Sequence, residues 1–80
     1  MPTILRVGRF RFFFYSNEGS PREPLHVHVR GSEGEAKFWL HPMVHLDDSH
    51  GFDARTLREL TEAVEQNTAI IEGAWNEYFC

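Results

Sequence analysis

Several features that the 80-residue sequence lacks narrow its class. It contains one cysteine, Cys80, which excludes a disulfide framework and is typical of a reducing cytoplasm. It has no apolar run near the roughly 18 residues that a membrane-spanning helix needs. Arg6, Arg9 and Arg11 interrupt any apolar stretch at the start, so no signal peptide is expected. We therefore expect a cytoplasmic protein without a membrane segment.

Basic residues are also few. Eight Lys and Arg face twelve Asp and Glu, and the net charge of −4 discourages a nucleic-acid partner. The charges are unevenly placed, because residues 1–30 hold five arginines and two glutamates, whereas residues 31–80 hold three basic and ten acidic side chains. This asymmetry predicts a basic N-terminal surface and an acidic C-terminal surface, which either pair with each other in the fold or serve a partner.

Aromatic residues, by contrast, are plentiful. Seven Phe, two Trp and two Tyr accompany a hydrophobic content of 41% and a charged content of 25%. These values are typical of an ordered domain, and a chain this short needs a dense core because it buries only about 60–65% of its unfolded surface. We expect residues 1–80 to form a single domain.

The first half of the chain has the pattern of a β-sheet. Residues 3–7 and 10–15 are β-branched or aromatic, and Gly8-Arg9 between them fits a two-residue turn, so the chain is expected to begin with a hairpin. Further strands are predicted over 25–30, 35–40 and, as a short fifth strand, 43–46, with loops over 16–24 and 47–52. The alternating residues expected to face the core are Phe10, Phe12, Phe14, Val27, Val29, Phe38 and Leu40.

The second half has the pattern of a helix with Asp53 as its N-cap. An apolar stripe in unbroken phase favours one helix over about 54–79, which would be about 39 Å long, whereas a six-residue strand spans about 20 Å. The helix is therefore expected to overhang the sheet or to break near Asn67 or Gly73. The predicted class is α+β, an antiparallel sheet of four or five strands, N-terminal hairpin first, packed against a long or broken C-terminal helix.

The candidate site lies in the strand that contains His26, His28 and Arg30, because alternation places these three side chains on one face. Arg11 and Lys37 are expected to join them from adjacent strands. Two imidazoles beside cationic groups suit a general acid and base with anion stabilisation, as in metal-independent ribonucleases. The same two imidazoles could instead bind a zinc or nickel ion. A third alternative is that both histidines are structural and pack against the C-terminal helix, or that they contact a partner. No third ligand is set by the spacing, and no cofactor is expected.

Two further groups of residues are weaker candidates. His41, His45 and His50 occur with Asp47 and Asp48, and we expect a solvated loop there rather than a metal site, because the spacing matches no ligand signature. The C-terminal segment 68–80 either closes the core, with Trp75 mostly buried, or docks onto a second copy or another small protein. The candidate partner-binding residues are Ile71, Trp75, Tyr78 and Phe79.

Several segments carry a family resemblance. These are residues 1–6, 11–16, 26–29, 36–40 and 75–79. In this order they resemble the small prokaryotic proteins grouped as domain of unknown function 4160, over essentially the whole chain. The resemblance implies no settled activity. It implies a neighbouring small domain of unknown function, in an arrangement like a toxin–antitoxin pair. The leading hypothesis is therefore a protein-interaction component of a two-gene module, and the alternatives are a small ribonuclease or a metal-binding protein that uses His26 and His28.

Overall fold

The computed structural model describes residues 3–15 and 24–79. It contains five strands followed by two helices, which confirms the α+β class. The elements are β1 (Thr3–Val7), β2 (Phe10–Phe13), β3 (His26–Arg30), β4 (Glu35–Trp39), β5 (His45–His50), α1 (Ala54–Gln66) and α2 (Thr68–Phe79). The strands pair in sequence order, each antiparallel to the next. None of the described helices is both long and apolar enough to cross a membrane.

The N-terminal hairpin forms as predicted. Val7 pairs with Phe10 across the two-residue turn, and Gly8 has a φ of 58°, a left-handed conformation that a glycine adopts at little cost. The predicted loop over residues 16–24 lies, except for Pro24, outside the described residues, as does Cys80.

The core lies between the helices and one face of the sheet, and the predicted register is confirmed. Phe12 and Val27, on which that register depended, are both fully buried. All seven side chains predicted to face the core are buried, together with Leu25, Ala36, Leu60, Val64, Ile71 and Trp75. These residues belong to one hydrophobic cluster with the helices, so alternation along the strands predicts the core face correctly.

The C-terminal helix breaks at Asn67, which is one of the two predicted break points. The alternative of a single helix over about 54–79 is wrong. The Asn67 N–H donates to the Val64 carbonyl at 3.1 Å, and the Asn67 side-chain amide donates to the Ala63 carbonyl at 2.8 Å. These bonds end α1 and allow α2 to pack Ile71 and Trp75 into the core. Two helices of 13 and 12 residues thus replace the single helix of about 39 Å.

The fifth strand differs from the prediction. It runs over His45–His50 instead of 43–46, so most of the predicted loop over 47–52 is strand. Lys37 pairs with Asp48 and Phe38 pairs with Leu46, which leaves Asp47 as an extra residue in a β-bulge. Pairing with β4 thus outweighs the low strand propensity of the Asp-Asp-Ser sequence, and the bulge and charges protect an exposed edge.

Two glycines hold the start of β4 against the end of β5. A Cβ atom on Gly34 would lie 1.9 Å from the His50 carbonyl oxygen, and one on Gly51 would lie 2.0 Å from that of Glu33. Only glycine permits this backbone approach. Directly afterwards Asp53 caps α1, as predicted, because its carboxylate accepts a 2.8 Å hydrogen bond from the Thr56 N–H.

Candidate functional site

The sheet face opposite the core carries all five predicted site residues. Pairing between neighbouring strands arranges this face in three rows. We call it the histidine face. Its residues are Arg6, Arg11, Arg30, Glu35 and His50 in the first row, Thr3, Phe13, His28, Lys37 and Asp48 in the second, and His26, Trp39 and His45 in the third. The prediction that Arg11 and Lys37 join the two histidines from adjacent strands agrees with this register.

The two histidines lie within an aromatic cluster. The ring of His26 is 5.2 Å from that of His28, 5.1 Å from that of Trp39 and 5.1 Å from that of Trp75, measured between centroids. Phe13 stacks on His28 at 5.5 Å. His26 is fully buried and His28 is 7% exposed. The pair is therefore packed among aromatic rings, and only His28 keeps a small exposed area.

A backbone hydrogen bond sets the orientation of the His26 ring. Its Nδ1 lies 3.0 Å from the carbonyl oxygen of Pro24. A carbonyl oxygen only accepts, so Nδ1 carries the proton and donates. The bond holds the ring against the backbone that leads into β3, so His26 has a structural role there.

Arg30 belongs to a polar network with Tyr15 and Glu35. Its Nε and Nη2 donate to Glu35 Oε1 at 2.9 and 2.7 Å, and Nη2 also donates to the Tyr15 hydroxyl at 3.2 Å. The Tyr15 hydroxyl in turn donates to Glu35 Oε2 at 2.9 Å. Both carboxylate oxygens of Glu35 are thus hydrogen-bonded within the face.

The network shifts two pKa values in opposite directions. Burial acts to raise the pKa of Glu35, but the hydrogen bonds from Arg30 and Tyr15 outweigh it, so the pKa is lowered. Burial raises the pKa of Tyr15, and its hydrogen bond to the Glu35 carboxylate adds to this. Glu35 is therefore a carboxylate at neutral pH and Tyr15 a neutral phenol.

Phe13 supports two cations on this face. The guanidinium carbon of Arg11 lies 4.8 Å from the centroid of its ring, and that of Arg30 lies 5.1 Å from it. Phe13 itself is fully buried, although it faces away from the helices. The ring is a platform that holds both guanidinium groups by cation–π attraction.

A groove of about 320 Å³ lies towards β5 at the same face, within the size range of small-ligand sites. Its ionisable lining residues are His28, Glu35, Lys37, Asp47, Asp48 and His50. The ammonium of Lys37 is 3.9 Å from the Asp47 carboxylate and 4.4 Å from the centre of the Trp39 ring. Carboxylates outnumber fixed cations here, so the groove is acidic while the β1–β3 side of the face is basic.

The metal hypothesis finds no ligand set in the part of the chain that the structure describes. Over residues 3–15 and 24–79, no three His, Cys, Asp or Glu side chains are grouped as metal ligands. The histidines near β5 have separate contacts, since His45 Nδ1 lies 2.7 Å from the Met43 carbonyl and His41 Nε2 lies 3.8 Å from Glu72.

The C-terminal segment contributes mainly to the core. Trp75 is 3% exposed, as predicted, and its ring lies 5.0 Å from that of Phe14 and 4.3 Å from that of Phe79. Ile71 is fully buried, while Tyr78 is 43% exposed. The exposed large apolar side chains of this segment are Ile70 and Tyr78, and docking of a partner here stays a prediction.

Sequence reasoning did not assign a role to Phe13, Tyr15, Glu35 or Trp39. The available signal was the same alternation that identified the histidines, since it places Phe13 and Tyr15 beside Arg11, and Glu35 and Trp39 beside Lys37. Cross-strand contacts such as Tyr15 with Glu35 depend on register, which alternation alone leaves undetermined.

Comparison with known proteins gives the family. Neither the curated proteins nor the solved structures yielded a match. The model of a protein family matches residues 10–76, which span β2 to most of α2 and so include the core and most of the histidine face. The chain therefore belongs to the family described as domain of unknown function DUF4160.

Proposed function

We propose that this protein is a protein-interaction component that binds a small protein partner through its histidine face, as one half of a toxin–antitoxin-like two-gene module. The observation that carries the proposal is the enclosure of His26 and His28 among aromatic rings, beneath a partly exposed rim of charged and aromatic side chains. Aromatic residues and arginine are the types enriched at the centres of protein interfaces.

The burial of His26 weighs against an acid–base pair. A general acid or base must come within about 3 Å of the proton that it transfers, directly or through one water molecule. His26 is fully buried and its Nδ1 proton is held by the Pro24 carbonyl. A packing role explains both facts.

The distribution of charge favours a protein over a nucleic acid as the partner. Arg6 and Arg11 lie on β1 and β2, whereas Asp47 and Asp48 lie on β5 at the opposite edge. A phosphate backbone carries one sign of charge and would be repelled at β5. A protein partner can present both signs, so that each end of the face meets its complement.

The two-gene context rests on the family. The resemblance to DUF4160 proteins implies a small protein encoded by the neighbouring gene, and the compact size of this domain is consistent with such a partner. Gene neighbourhood suggests that a partner exists, whereas the residues that would contact it are inferred from the histidine face.

Calorimetric titration of the protein with the product of the neighbouring gene tests the proposal. Trp39→Ala removes a half-buried aromatic side chain from the histidine face, and Tyr78→Ala removes an exposed one from α2. We expect the first to weaken binding at least about 30-fold, the size of an interface hot spot, and the second to leave it unchanged. Circular dichroism checks that each variant is folded. The reverse pattern would place the interface on α2, and absence of binding by the wild type would refute the proposal.

A small ribonuclease is the second candidate, because His28 borders the groove together with Lys37 and Glu35. In this hypothesis His28 would transfer the proton and Lys37 would stabilise the developing negative charge. Growth arrest on expression, abolished by His28→Ala in a variant that remains folded, would support the ribonuclease. Arrest that persists in this variant, or no arrest, would leave the interaction component as the better account.

A further inference from the structure

Three arginines face one another across the first three strands. Arg6 on β1 pairs with Arg11 on β2, and Arg11 pairs with Arg30 on β3. Directly opposite side chains have Cβ atoms about 4.5–5.5 Å apart, and like charges in such positions destabilise a sheet. A row of this kind needs a compensating negative charge.

Among the residues that the structure describes, compensation reaches one end of the row. Arg30 is bonded to Glu35, and Arg9 in the first turn is bonded through its Nε to Glu33 at 3.0 Å. The ion pairs formed between described residues include none for Arg6 or Arg11. Two adjacent guanidinium groups on β1 and β2 therefore lack a carboxylate in the described chain.

The second of these guanidinium groups is already positioned. Arg11 is half-buried, and its guanidinium rests over the Phe13 ring, on which Arg30 also rests. Arginine presents a rigid fork of donors that matches a carboxylate, and immobilising it in advance lowers the entropic cost of binding. The cation–π contact uses none of the N–H donors of Arg11, which remain for an external acceptor.

We propose that Arg6 and Arg11 bind an acidic segment, carrying Asp or Glu side chains, of the protein partner. The inference rests on the proposed function and names the chemistry by which its partner is recognised. Carboxylates accept paired hydrogen bonds from a guanidinium group. The neighbouring acidic residues Glu35 and Asp48 set a limit to the basic area, so the site suits a short acidic segment and not an extended polyanion.

Fluorescence anisotropy with a labelled octaglutamate peptide tests the inference on the full chain. Arg6→Gln and Arg11→Gln should each weaken binding about 10-fold, since each removes a charge-assisted contact. Arg58→Gln, an exposed arginine on α1, is the matched control and should bind like the wild type. Binding should weaken as salt rises, because exposed charges are screened.

Other outcomes would overturn the inference. These are failure of the octaglutamate peptide to bind, an equal loss in Arg58→Gln, or tighter binding of an RNA octamer with the same dependence on Arg6 and Arg11. The proposed function is tested separately with the product of the neighbouring gene. If that complex forms and tolerates both arginine substitutions, the inference fails and the function stands, whereas absence of that complex refutes the function.

Discussion

The two faces of the sheet are buried by different means. On the core face, residues such as Phe12 and Val27 are covered by two helices. On the histidine face, Phe13 and His26 are equally inaccessible to solvent, but the side chains around them are polar or aromatic, such as Arg11 and Trp39. Burial on the first face follows from layer packing. Burial on the second combines contacts between side chains of neighbouring strands with the contact of His26 with Trp75 of α2.

The difference changes how a histidine on a strand is interpreted. Alternation assigns His26 and His28 to the face away from the core, where they would ordinarily be exposed and available for chemistry. Their ring contacts with Trp39, Trp75 and Phe13 instead make them part of an aromatic cluster that joins the core at Trp75. The two imidazoles are therefore much less accessible than other side chains of the same face, such as Arg30.

The largest expected effect concerns the core face. Trp75→Ala removes a side chain that is 3% exposed and contacts Phe14 and Phe79, so we expect it to lower the free energy of unfolding by about 3–5 kcal/mol. Urea denaturation measures this value. Tyr78→Ala, which is 43% exposed, is the control. Equal free energies of unfolding for Trp75→Ala and the wild type would contradict the packing of α2.

A smaller loss is expected at the centre of the histidine face. His26→Ala deletes a fully buried ring with three ring contacts and a hydrogen bond to Pro24, and should cost about 2–3 kcal/mol. His50→Ala, an exposed histidine on the same face, should change stability by less than about 0.5 kcal/mol. Equal stabilities for the two variants would show that the face is not packed.

The polar network should give a smaller effect that depends on pH. Because the pKa of Glu35 is lower in the folded chain than in the unfolded one, its contribution is present above the unfolded pKa and is lost as pH falls through the folded pKa. Glu35→Gln should therefore cost about 1.5 kcal/mol at pH 7, with the difference from the wild type shrinking below about pH 4. Urea denaturation of both proteins from pH 7 to pH 3 measures this difference in the free energy of unfolding. Glu62→Gln, an exposed substitution on α1, is the control.

The sequence predicts much of the fold because most of its signals are local. The turn at Gly8-Arg9, the Asp53 cap and the period-two pattern through Phe10, Phe12 and Phe14 each depend on a few adjacent residues. The extent of β5 could not be predicted, because Asp47 to His50 become strand only through pairing with β4. The direction of α2 could not be predicted either, because it depends on how Ile71 and Trp75 pack against the core.

The candidate site was predictable in position but not in character. Alternation brings His26, His28, Arg30, Arg11 and Lys37 to one face. Whether the imidazoles are exposed or enclosed depends on which rings the strand register places beside them. That register is set by the tertiary structure and is not determined by alternation alone. Their roles in partner binding or catalysis stay predictions that the experiments above address.

The most direct test of the histidine face as the recognition surface is an NMR titration of the ¹⁵N-labelled wild-type protein with the product of the neighbouring gene. The account predicts that the largest chemical-shift changes occur at Arg6, Arg11 and Trp39. Exposed positions of α1, such as Arg58 and Glu62, should stay unchanged. Changes confined to the helices, or none at saturating partner, would contradict it.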